Sequence, residues 1–279
     1  EPIDQIEGKW IQHSMMGGLM YADKGIHKNC IQYDKNSFYP SIMKWSQLKV
    51  PYTRGKFSTL EKLPEKLETG IYRVEIEGAD EHPLFRMSIE DYYTHYDIQS
   101  ARQLGLEMAI IQDGRPNALI YDKFTTGQQM FGKYVDMLLP LKQQKVRWGK
   151  LLLNIIWGSL CQRNTSKRFT YHNTKVTIGD ENVMECLPYA DGHRLVLQNR
   201  QQPYRSGWAR LGSFLTARGR SHMRSLLQDH VDDLVYVHTD GFVVKNNVKF
   251  PTGTAIGELK KEASGDVEIC GVNKKKHWL

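Results

Sequence analysis

The feature that most constrains the fold is an Asp-Gly pair, Asp240-Gly241, placed between two short runs of strand-forming residues. Valine and aromatic residues dominate residues 234–237 and 242–244 on either side of it. Such residues favour strands, and an Asp-Gly pair between them is a strong local signal for a tight hairpin. The sequence therefore predicts a stiff antiparallel hairpin with Asp240 at its turn. Taken alone, the pattern fits an ordinary hairpin with a convenient turn residue equally well.

The rest of the chain mixes strands and long helices in no regular order. Strands are predicted at residues 31–34 and 71–77, a strand-helix unit at 92–106, and long helices at 128–160 and 211–228. The first long helix is expected to break near Pro140, and residues 1–30 are expected to be irregular. Strands scattered among long helices indicate an α+β fold rather than a doubly wound sheet.

Positive charge is segregated along the chain. The 279 residues contain 38 Lys and Arg against 31 Asp and Glu, a formal net charge of +7. Residues 137–179 and 192–228 contain no carboxylate but carry eight and seven cations, respectively. Residues 274–276 form a further cluster of lysines. This distribution is typical of a protein that binds a polyanion, most simply nucleic acid, although a solvated basic face without a partner is the alternative.

Composition excludes several classes of protein. Hydrophobic residues make up 40% and charged residues 25%, so the chain is neither disordered nor a membrane bundle. No segment approaches the roughly 20 consecutive apolar residues that span a bilayer, which predicts no membrane partner. The four cysteines form no CxxC pair and the ten histidines no HExxH, so we expect a reducing, cytoplasmic compartment and no zinc site. The chain begins with Glu1 rather than Met, which predicts a fragment or a processed piece.

A second informative segment runs from Tyr33 to Ile42. Asp34 ends a predicted strand, a polar turn follows, and Tyr39-Pro40 precedes a predicted helix. Backbone amides in such a turn can hold phosphate oxygens. The alternative is a plain connection from strand to helix in which Asp34 acts only as a cap.

A third segment places polar side chains along one face of a predicted helix. At about 100° per residue, one arc of roughly 100° holds Arg147, Lys150, Asn154, Trp157 and Gly158. The apolar residues expected to pack inward from the same turns are Leu151, Leu152, Ile155 and Ile156. A cation, an amide, a flat ring and a glycine on one exposed face suit a nucleoside triphosphate stacked against a base pair, although an amphipathic surface helix has the same pattern.

Together, the three segments resemble motifs A, B and C of the family B DNA polymerases, in the expected order. Residues 34–42 are similar to motif A, D-x-x-S-L-Y-P-S-I. Lys150, Asn154 and Trp157-Gly158 resemble motif B, K-x3-N-S-x-Y-G. Residues 236–240 resemble motif C, Y-x-D-T-D.

Smaller similarities favour the protein-primed branch found in phages, viruses and linear plasmids. Gly17-Gly18 resembles the end of its Y-x-G-G motif, with Met15 in place of the tyrosine. Residues 208–210 and 216–217 are similar to the helix before motif C. Lys276-His277-Trp278 resembles the K-x-Y motif that contacts the primer strand. The resemblance therefore spans nearly the whole chain.

The resemblance implies a polymerase palm, an antiparallel sheet with packed helices, interrupted by helical fingers. The palm would occupy residues 1–125, with motif A, and residues 166–265, with motif C. The fingers, with motif B, would occupy residues 126–165, and residues 266–279 would begin the thumb.

The resemblance also implies roles for single residues. Asp34, Asp240 and the backbone carbonyl of Lys35 would hold two Mg²⁺ ions, for which Mn²⁺ is a substitute. The implied catalytic residues are Asp34, Asp240 and Lys150. The implied nucleotide-binding residues are Ser37, Phe38, Tyr39, Arg147, Lys150, Asn154, Trp157 and Gly158. The implied DNA-binding residues are Gly17, Gly18, Arg210, Lys275, Lys276 and Trp278.

The partners implied are primer-template DNA, dNTPs, a terminal protein that acts as primer, and the rest of a larger polymerase chain or complex. His238 replaces the first aspartate of motif C, while Ile155 and Trp157 replace the serine and tyrosine of motif B. We expect metal binding to survive, with one fewer negative charge nearby. The first interpretation is an active DNA polymerase. The second is a degenerate palm kept as a nucleic-acid-binding or assembly module, and the third is a reverse transcriptase or another palm enzyme.

Overall fold

The computed structural model describes residues 1–273 and 276–278. Its α-helices are α1 (Gln5–Ser14), α2 (Phe38–Met43), α3 (His95–Gln103), α4 (Gly127–Gln143), α5 (Arg147–Leu160) and α6 (Leu211–Leu227). Its strands are β1 (Met20–Ala22), β2 (Gly25–Lys35), β3 (Lys49–Pro51), β4 (Lys56–Ser58), β5 (Gly70–Ile76), β6 (Tyr92–Thr94), β7 (Met108–Ile110), β8 (Ala118–Ile120), β9 (Phe124–Thr126), β10 (Thr165–Tyr171), β11 (Glu181–Tyr189), β12 (Gly192–Asn199), β13 (Leu234–His238), β14 (Gly241–Lys245), β15 (Leu259–Ile269) and β16 (Lys276–Trp278). Short 3₁₀ helices, Gly207–Arg210 and Gln228–Asp233, flank α6.

The largest sheet has six strands in the order β1-β13-β14-β2-β15-β16, and each neighbouring pair is antiparallel. Successive side chains alternate between its two faces. One face, with Tyr33 and Phe242, joins the main core together with residues of α2 and α6. The other face, with Val235, Val243 and Val267, belongs to a second buried cluster. The hairpin predicted at the Asp-Gly pair is confirmed as β13 and β14, in the interior of this sheet.

A second unit contains the sheet β4-β8-β5-β6, with β7 paired to β5. Its own core includes Tyr72, Tyr93 and Ile98, the last from α3. A capping box starts α3, because the Thr94 and Asp97 side chains each accept a hydrogen bond from the other residue's backbone amide. Asp97 also forms an ion pair with Arg220 at 2.8 Å, which joins this unit to α6.

Helices α4 and α5 form a helical hairpin. The Tyr134 hydroxyl donates to the carbonyl of Leu152 at 2.8 Å, so the two helices pack side by side. Gly149 makes the approach close, because a Cβ there would lie 2.8 Å from the carbonyl carbon of Leu141. Lys145 in the connection has a φ of 59°, which lets the chain reverse within a few residues.

The mixed architecture confirms the predicted α+β class, but two local predictions were wrong. Residues 1–30 are not irregular: they contain α1, β1 and the start of β2. The Asp4 side chain caps α1 by accepting from the amides of Ile6 and Glu7 at 3.0 and 2.9 Å. The spacing of Asp4 and Glu7 was an available N-terminal helix signal. The break predicted near Pro140 falls instead after Gln143, so Pro140 lies inside the last turn of α4.

The sequence did not predict the separate three-stranded sheet β10-β12-β11. Half of its residues are exposed, and Leu195 and Leu197 are its buried leucines, so it lacks a strong apolar alternation. The domain boundary expected at residue 266 falls inside β15, which continues the main sheet together with β16. The remaining division into palm and fingers stays a prediction.

Acidification is expected to destabilise the fold through His222 of α6. Burial, followed by the charges of Lys35 and Arg218, lowers the pKa of His222 to about 4. The pKa of a histidine in the unfolded chain is about 6.5, so the unfolded state binds a proton more readily than the folded state does. The stability that neutral His222 contributes is therefore complete above pH 6.5 and is lost as the pH falls toward 4. Between pH 7 and pH 5 we expect the free energy of unfolding to fall by about 2 kcal/mol through this residue, as measured by urea denaturation.

The matched variants are His222→Leu and His172→Leu, because His172 is exposed. We expect the first substitution to flatten the pH dependence and the second to leave it unchanged. Equal pH dependence in wild type and His222→Leu would contradict this account.

Candidate active site

Strand pairing brings Asp34 and Asp240 together. Asp34 lies one residue before the end of β2, and its partner in β14 is Gly241, which follows Asp240. The amide of Lys35 donates to the carbonyl oxygen of Asp240 at 2.9 Å. The hairpin turn therefore lies beside the end of β2, and both carboxylates line one cavity.

Neighbouring backbone fixes the turn that carries Asp240. Thr239 has a positive φ of 62°, and its amide donates to the carbonyl of Leu19 at 2.8 Å. A Cβ on Gly18 would lie 2.8 Å from the Cα of Thr239, so this approach requires glycine. The Arg86 guanidinium donates to the carbonyl of Gly18 at 2.8 Å. Gly18 therefore positions the turn next to the two carboxylates.

The electrostatics of the carboxylate pair favour a bound cation. Burial and then the negative charge of Asp34 raise the pKa of Asp240. A divalent cation would offset this repulsion, and oxygen donors are the ligands that Mg²⁺ prefers. Among the described residues, no group of three or more His, Cys, Asp or Glu side chains could hold a metal ion. A pair of carboxylates, which leaves positions for water and phosphate, still fits Mg²⁺.

The turn after β2 leads directly into α2. Ser37 precedes α2 with a φ of 50°, and its hydroxyl accepts a hydrogen bond from the Lys142 ammonium. The Lys35 ammonium donates to the carbonyl of Gly257 at 2.9 Å, and burial lowers the pKa of this lysine. The Lys35 side chain thus anchors the turn, whereas Lys142 reaches it from α4.

Tyr39 forms an aromatic wall of the site. Its ring centroid lies 5.6 Å from that of Trp157 in α5 and 5.2 Å from that of Phe38. A Cβ on Gly219 of α6 would lie 3.2 Å from the Tyr39 ring, so a larger side chain there would push on the ring. Burial is the main cause that raises the pKa of Tyr39. The ring is therefore held in a fixed position between α5 and α6.

One cavity of about 500 Å³ collects most of the predicted catalytic and nucleotide-binding residues. Those that line it are Asp34, Lys35, Ser37, Phe38, Tyr39, Lys150, Asn154, Trp157 and Asp240. It is also lined by Asn36, Pro40, Lys142 and Lys260. Residues from all three motif segments thus converge on one space.

Sequence reasoning missed Lys142 and Lys260 as site residues. Lys142 lies near the end of α4 and reaches the cavity because α4 packs against α5, which carries Lys150. Its position in a carboxylate-free stretch was the only signal available. Lys260 lies in β15 directly opposite Asp34, so strand register alone brings it to the site. No local pattern around Lys260 indicated that register.

Two predicted nucleotide-binding residues of α5 do not line the cavity. Arg147 is exposed in the first turn of α5, with its guanidinium 5.6 Å from the Trp148 ring centroid. Gly158 is also exposed. The inward packing predicted for the apolar residues was wrong for Leu151, Leu152 and Ile155, which are exposed, whereas Ile156 packs against the main core. Helix α5 packs beside α4, and Leu153 is the apolar residue that it buries fully in the main core.

Arg210 was wrongly predicted to bind DNA. Its side chain is fully buried, and it forms an ion pair with the equally buried Glu7 at 2.7 Å. The arginines Arg220 and Arg224 from the same carboxylate-free stretch are also buried. Arg220 donates to the carbonyl of Gly17 at 2.6 Å, so Gly17 is held by the fold beside the turn. Arg210 and Arg220 therefore neutralise buried carboxylates, and Arg224 donates to the side chains of Gln103 and Gln228.

Two of the three C-terminal residues predicted to contact DNA belong to β16. The backbone of Lys276 begins this strand, and Trp278 pairs with Val267 across β15. Trp278 packs against the second buried cluster of the main sheet, and a role in binding DNA remains a prediction. The third residue, Lys275, lies outside the described residues.

The sequence comparison identifies the family to which the chain belongs. The sequence model of the family described as DNA polymerase type B, organellar and viral, matches residues 5–201. The chain belongs to this family of DNA polymerases. The family predicted from motifs A, B and C is therefore confirmed.

Two curated relatives are fungal. The chain is 23% identical to a DNA polymerase of Kluyveromyces lactis over 95% of this chain and 30% of the relative. It is 21% identical to a probable DNA polymerase of Neurospora intermedia over 84% of this chain and 27% of the relative. The chain thus spans less than a third of the length of these relatives.

Solved structures of phi29 DNA polymerase share the fold. The complex with single-stranded DNA has a TM-score of 0.69 at 16% identity, over 96% of this chain and 48% of that chain. The ternary complex with primer-template DNA and incoming nucleotide substrates has a TM-score of 0.65 at 16% identity, over 96% and 50%. Within the described part of the present chain, no helix is long and apolar enough to cross a membrane.

Proposed function

We propose that residues 1–279 form the catalytic core of a DNA polymerase that adds dNTPs to a primer 3′-hydroxyl. The observation that carries this proposal is the cavity in which Asp34 and Asp240 face Lys142 and Lys150. Phosphoryl transfer needs carboxylates to hold metal ions and cations to hold the polyphosphate. The cavity supplies both sets of groups on opposite elements, the sheet and the helical hairpin.

The carboxylates of Asp34 and Asp240, with the backbone carbonyl of Lys35, would hold two Mg²⁺ ions, for which Mn²⁺ can substitute. Such ions lower the pKa of the primer hydroxyl and stabilise charge on the attacking and leaving oxygens. Pairing of β2 with β14 holds the two carboxylates at a fixed separation. Both strands are interior strands of the main sheet, which supports a site that is organised before substrate binds.

Lys142 and Lys150 would neutralise the triphosphate. Burial is the main cause that lowers the pKa of Lys142, and the charges of Lys150 and Lys260 lower it further. Clustered ammonium groups repel one another, so an anion among them is favourable. The Lys142 ammonium donates a hydrogen bond to the Ser37 hydroxyl. When a nucleotide binds, a phosphate oxygen would accept this hydrogen bond in place of the hydroxyl.

The aromatic and amide side chains would hold the nucleoside. Trp157 and Asn154 line the cavity from α5, and Tyr39 lines it from α2. A rigid ring at Tyr39 would lie beneath the sugar and leave no room for a 2′-hydroxyl. This assignment makes Tyr39 the residue that selects deoxynucleotides.

Tyr39→Ala is therefore expected to relax sugar selection. Steric exclusion of a small group by a packed wall contributes about tenfold or more to discrimination. We expect the variant to incorporate dNTPs while the ratio of dNTP to rNTP incorporation falls by at least about tenfold. Tyr39→Phe keeps the ring and is the matched control, so it should reject rNTPs like the wild type. Equal rejection by Tyr39→Ala would place the tyrosine away from the sugar.

The larger assembly follows from the same proposal. We assign the palm to residues 1–125 and 166–265, and the fingers to residues 126–165, with β15 and β16 continuing the palm sheet. Primer-template DNA would lie against the carboxylate end of the cavity. Because the curated relatives are more than three times longer, the rest of a polymerase chain is a further proposed partner, and a terminal protein is the proposed primer.

The test is primer extension by the purified chain with Mg²⁺, all four dNTPs and a DNA template. The proposal expects extension on DNA. Tight DNA binding without extension by wild-type protein would instead support the degenerate palm, and extension only on an RNA template would support a reverse transcriptase.

A further inference from the structure

Four polar side chains line the same face of the main sheet at the carboxylate end of the site. Lys260 of β15 lies opposite Asp34 of β2, with its ammonium 3.2 Å from a carboxylate oxygen of Asp34. The same ammonium lies 2.8 Å from Oε1 of Glu262. The other oxygen of Glu262 accepts from the side-chain amide of Gln32 at 2.9 Å. Lys260 therefore bridges a catalytic carboxylate and a second carboxylate that Gln32 holds in place.

The two carboxylates that contact Lys260 differ in their relation to the proposed metal site. Asp34 lines the cavity beside Asp240, where the proposed function places metal ions. Glu262 does not line that cavity and is fixed by Gln32. A dication on Asp34 would repel an ammonium 3.2 Å away from that carboxylate, whereas the contact with Glu262 can persist.

We propose that Lys260 is the counter-ion of Asp34 in the metal-free protein and moves wholly to Glu262 when a divalent cation binds. The inference rests on the proposed metal role of Asp34 and Asp240. It makes Lys260 a positioning residue: it holds Asp34 oriented before the metal arrives and competes with the metal for that carboxylate.

Competition predicts the direction of each substitution. A half-exposed ion pair such as Lys260–Asp34 changes an equilibrium constant by up to about fivefold. Because Lys260→Gln removes this competitor for Asp34, the variant should bind Mn²⁺ about two- to fivefold more tightly than the wild type. Glu262→Gln should bind Mn²⁺ more weakly, because Lys260 then loses its second carboxylate and stays on Asp34. Lys260→Arg retains the charge and should resemble the wild type.

The experiment measures Mn²⁺ binding without DNA or dNTPs, by the electron paramagnetic resonance signal of free Mn²⁺. Lys261→Gln is the matched control, because it removes the same charge from the adjacent residue of β15, which pairs with Tyr33 rather than Asp34. Thermal unfolding of each variant shows that it is folded. The expected order of affinity is Lys260→Gln above wild type and Lys261→Gln, with Glu262→Gln lowest.

The outcomes separate this inference from the proposed function. Normal Mn²⁺ binding that Lys260→Gln leaves unchanged or weakens would overturn the counter-ion role and leave the polymerase assignment standing. Mn²⁺ binding that is undetectable, or that Asp240→Asn does not alter, would overturn the metal role and the counter-ion role together.

Discussion

Asp240→Asn is expected to lower nucleotide incorporation by about a thousandfold or more while DNA affinity stays nearly unchanged. Metal clamping lowers the barrier to phosphoryl transfer by several kcal/mol, and about 4 kcal/mol corresponds to a thousandfold in rate. Affinity for DNA comes mainly from phosphate contacts made by cations, which this substitution leaves in place. The measurement is single-turnover primer extension at saturating Mg²⁺, with DNA affinity measured on the same preparations. Asp34→Asn should behave in the same way.

Stability provides an independent readout for this variant. The pKa of Asp240 is raised by burial and by Asp34, so its ionised form opposes folding. For an acid with a raised folded-state pKa, the stabilising contribution is present at low pH and is lost as the pH rises through that pKa. The side-chain amide of asparagine does not ionise, so the variant does not lose stability as the pH rises. Metal-free Asp240→Asn should therefore be at least as stable as the wild type at pH 7.

The matched control is Asp232→Asn, an exposed aspartate near the opposite end of the β13–β14 hairpin. It should change neither incorporation nor stability by a measurable amount. If Asp240→Asn incorporates nucleotides within tenfold of the wild type, the assignment of the active site is wrong.

The parts of the site that the sequence predicted are those encoded locally. The Asp-Gly pair predicted a tight hairpin, and β13 and β14 formed there, with Thr239 and Asp240 as the two turn residues and Gly241 as the first residue of β14. The turn after Asp34 is likewise specified by a few consecutive residues. Because both signals are short, their chemistry could be inferred before the fold was known.

The parts that the sequence did not predict depend on register and packing. Lys260 reaches Asp34 only because β15 pairs with β2 in the register that places the two residues opposite each other. The register shifts at two points along this pair of strands, so the sequence patterns of the two strands do not predict it. Lys142 reaches Ser37 because α4 packs against α2, the helix that Ser37 precedes. Each of these contacts joins residues more than a hundred positions apart in the sequence. At such separations, the spacing of residues along the chain does not predict which side chains meet.

Charge segregation along the chain does not show which individual cations are exposed. The carboxylate-free stretch at residues 192–228 contains arginines that are exposed, such as Arg205, and arginines that are buried, such as Arg210. A count of cations cannot distinguish the two, because the neutralising carboxylates Glu7 and Asp97 lie far away in sequence. The proposed DNA-binding surface therefore consists of exposed cations alone.

Arg210→Met is expected to lower the free energy of unfolding by about 3–5 kcal/mol, the largest stability effect that we predict. Arg210 and Glu7 are both fully buried, and the guanidinium donates to the two carboxylate oxygens of Glu7 at 2.7 and 2.8 Å. The Tyr121 hydroxyl donates to the same carboxylate at 2.9 Å, and burial followed by Glu7 raises the pKa of that tyrosine. Removing the arginine leaves a buried carboxylate with no opposite charge, and that uncompensated charge causes the loss. Urea denaturation at pH 7 measures it.

The network also predicts a rescue. Glu7→Gln combined with Arg210→Met removes both charges, and the introduced amide oxygen still accepts from Tyr121, so the double variant should regain most of the lost stability. Arg205→Met is the matched control, because this exposed arginine lies five residues earlier and should change stability by less than about 0.5 kcal/mol. DNA affinity of folded Arg210→Met should equal that of the wild type, since the guanidinium never reaches solvent. A stability loss below about 1 kcal/mol together with weaker DNA binding would return Arg210 to the DNA-binding surface, because only an accessible guanidinium could produce that pair of results.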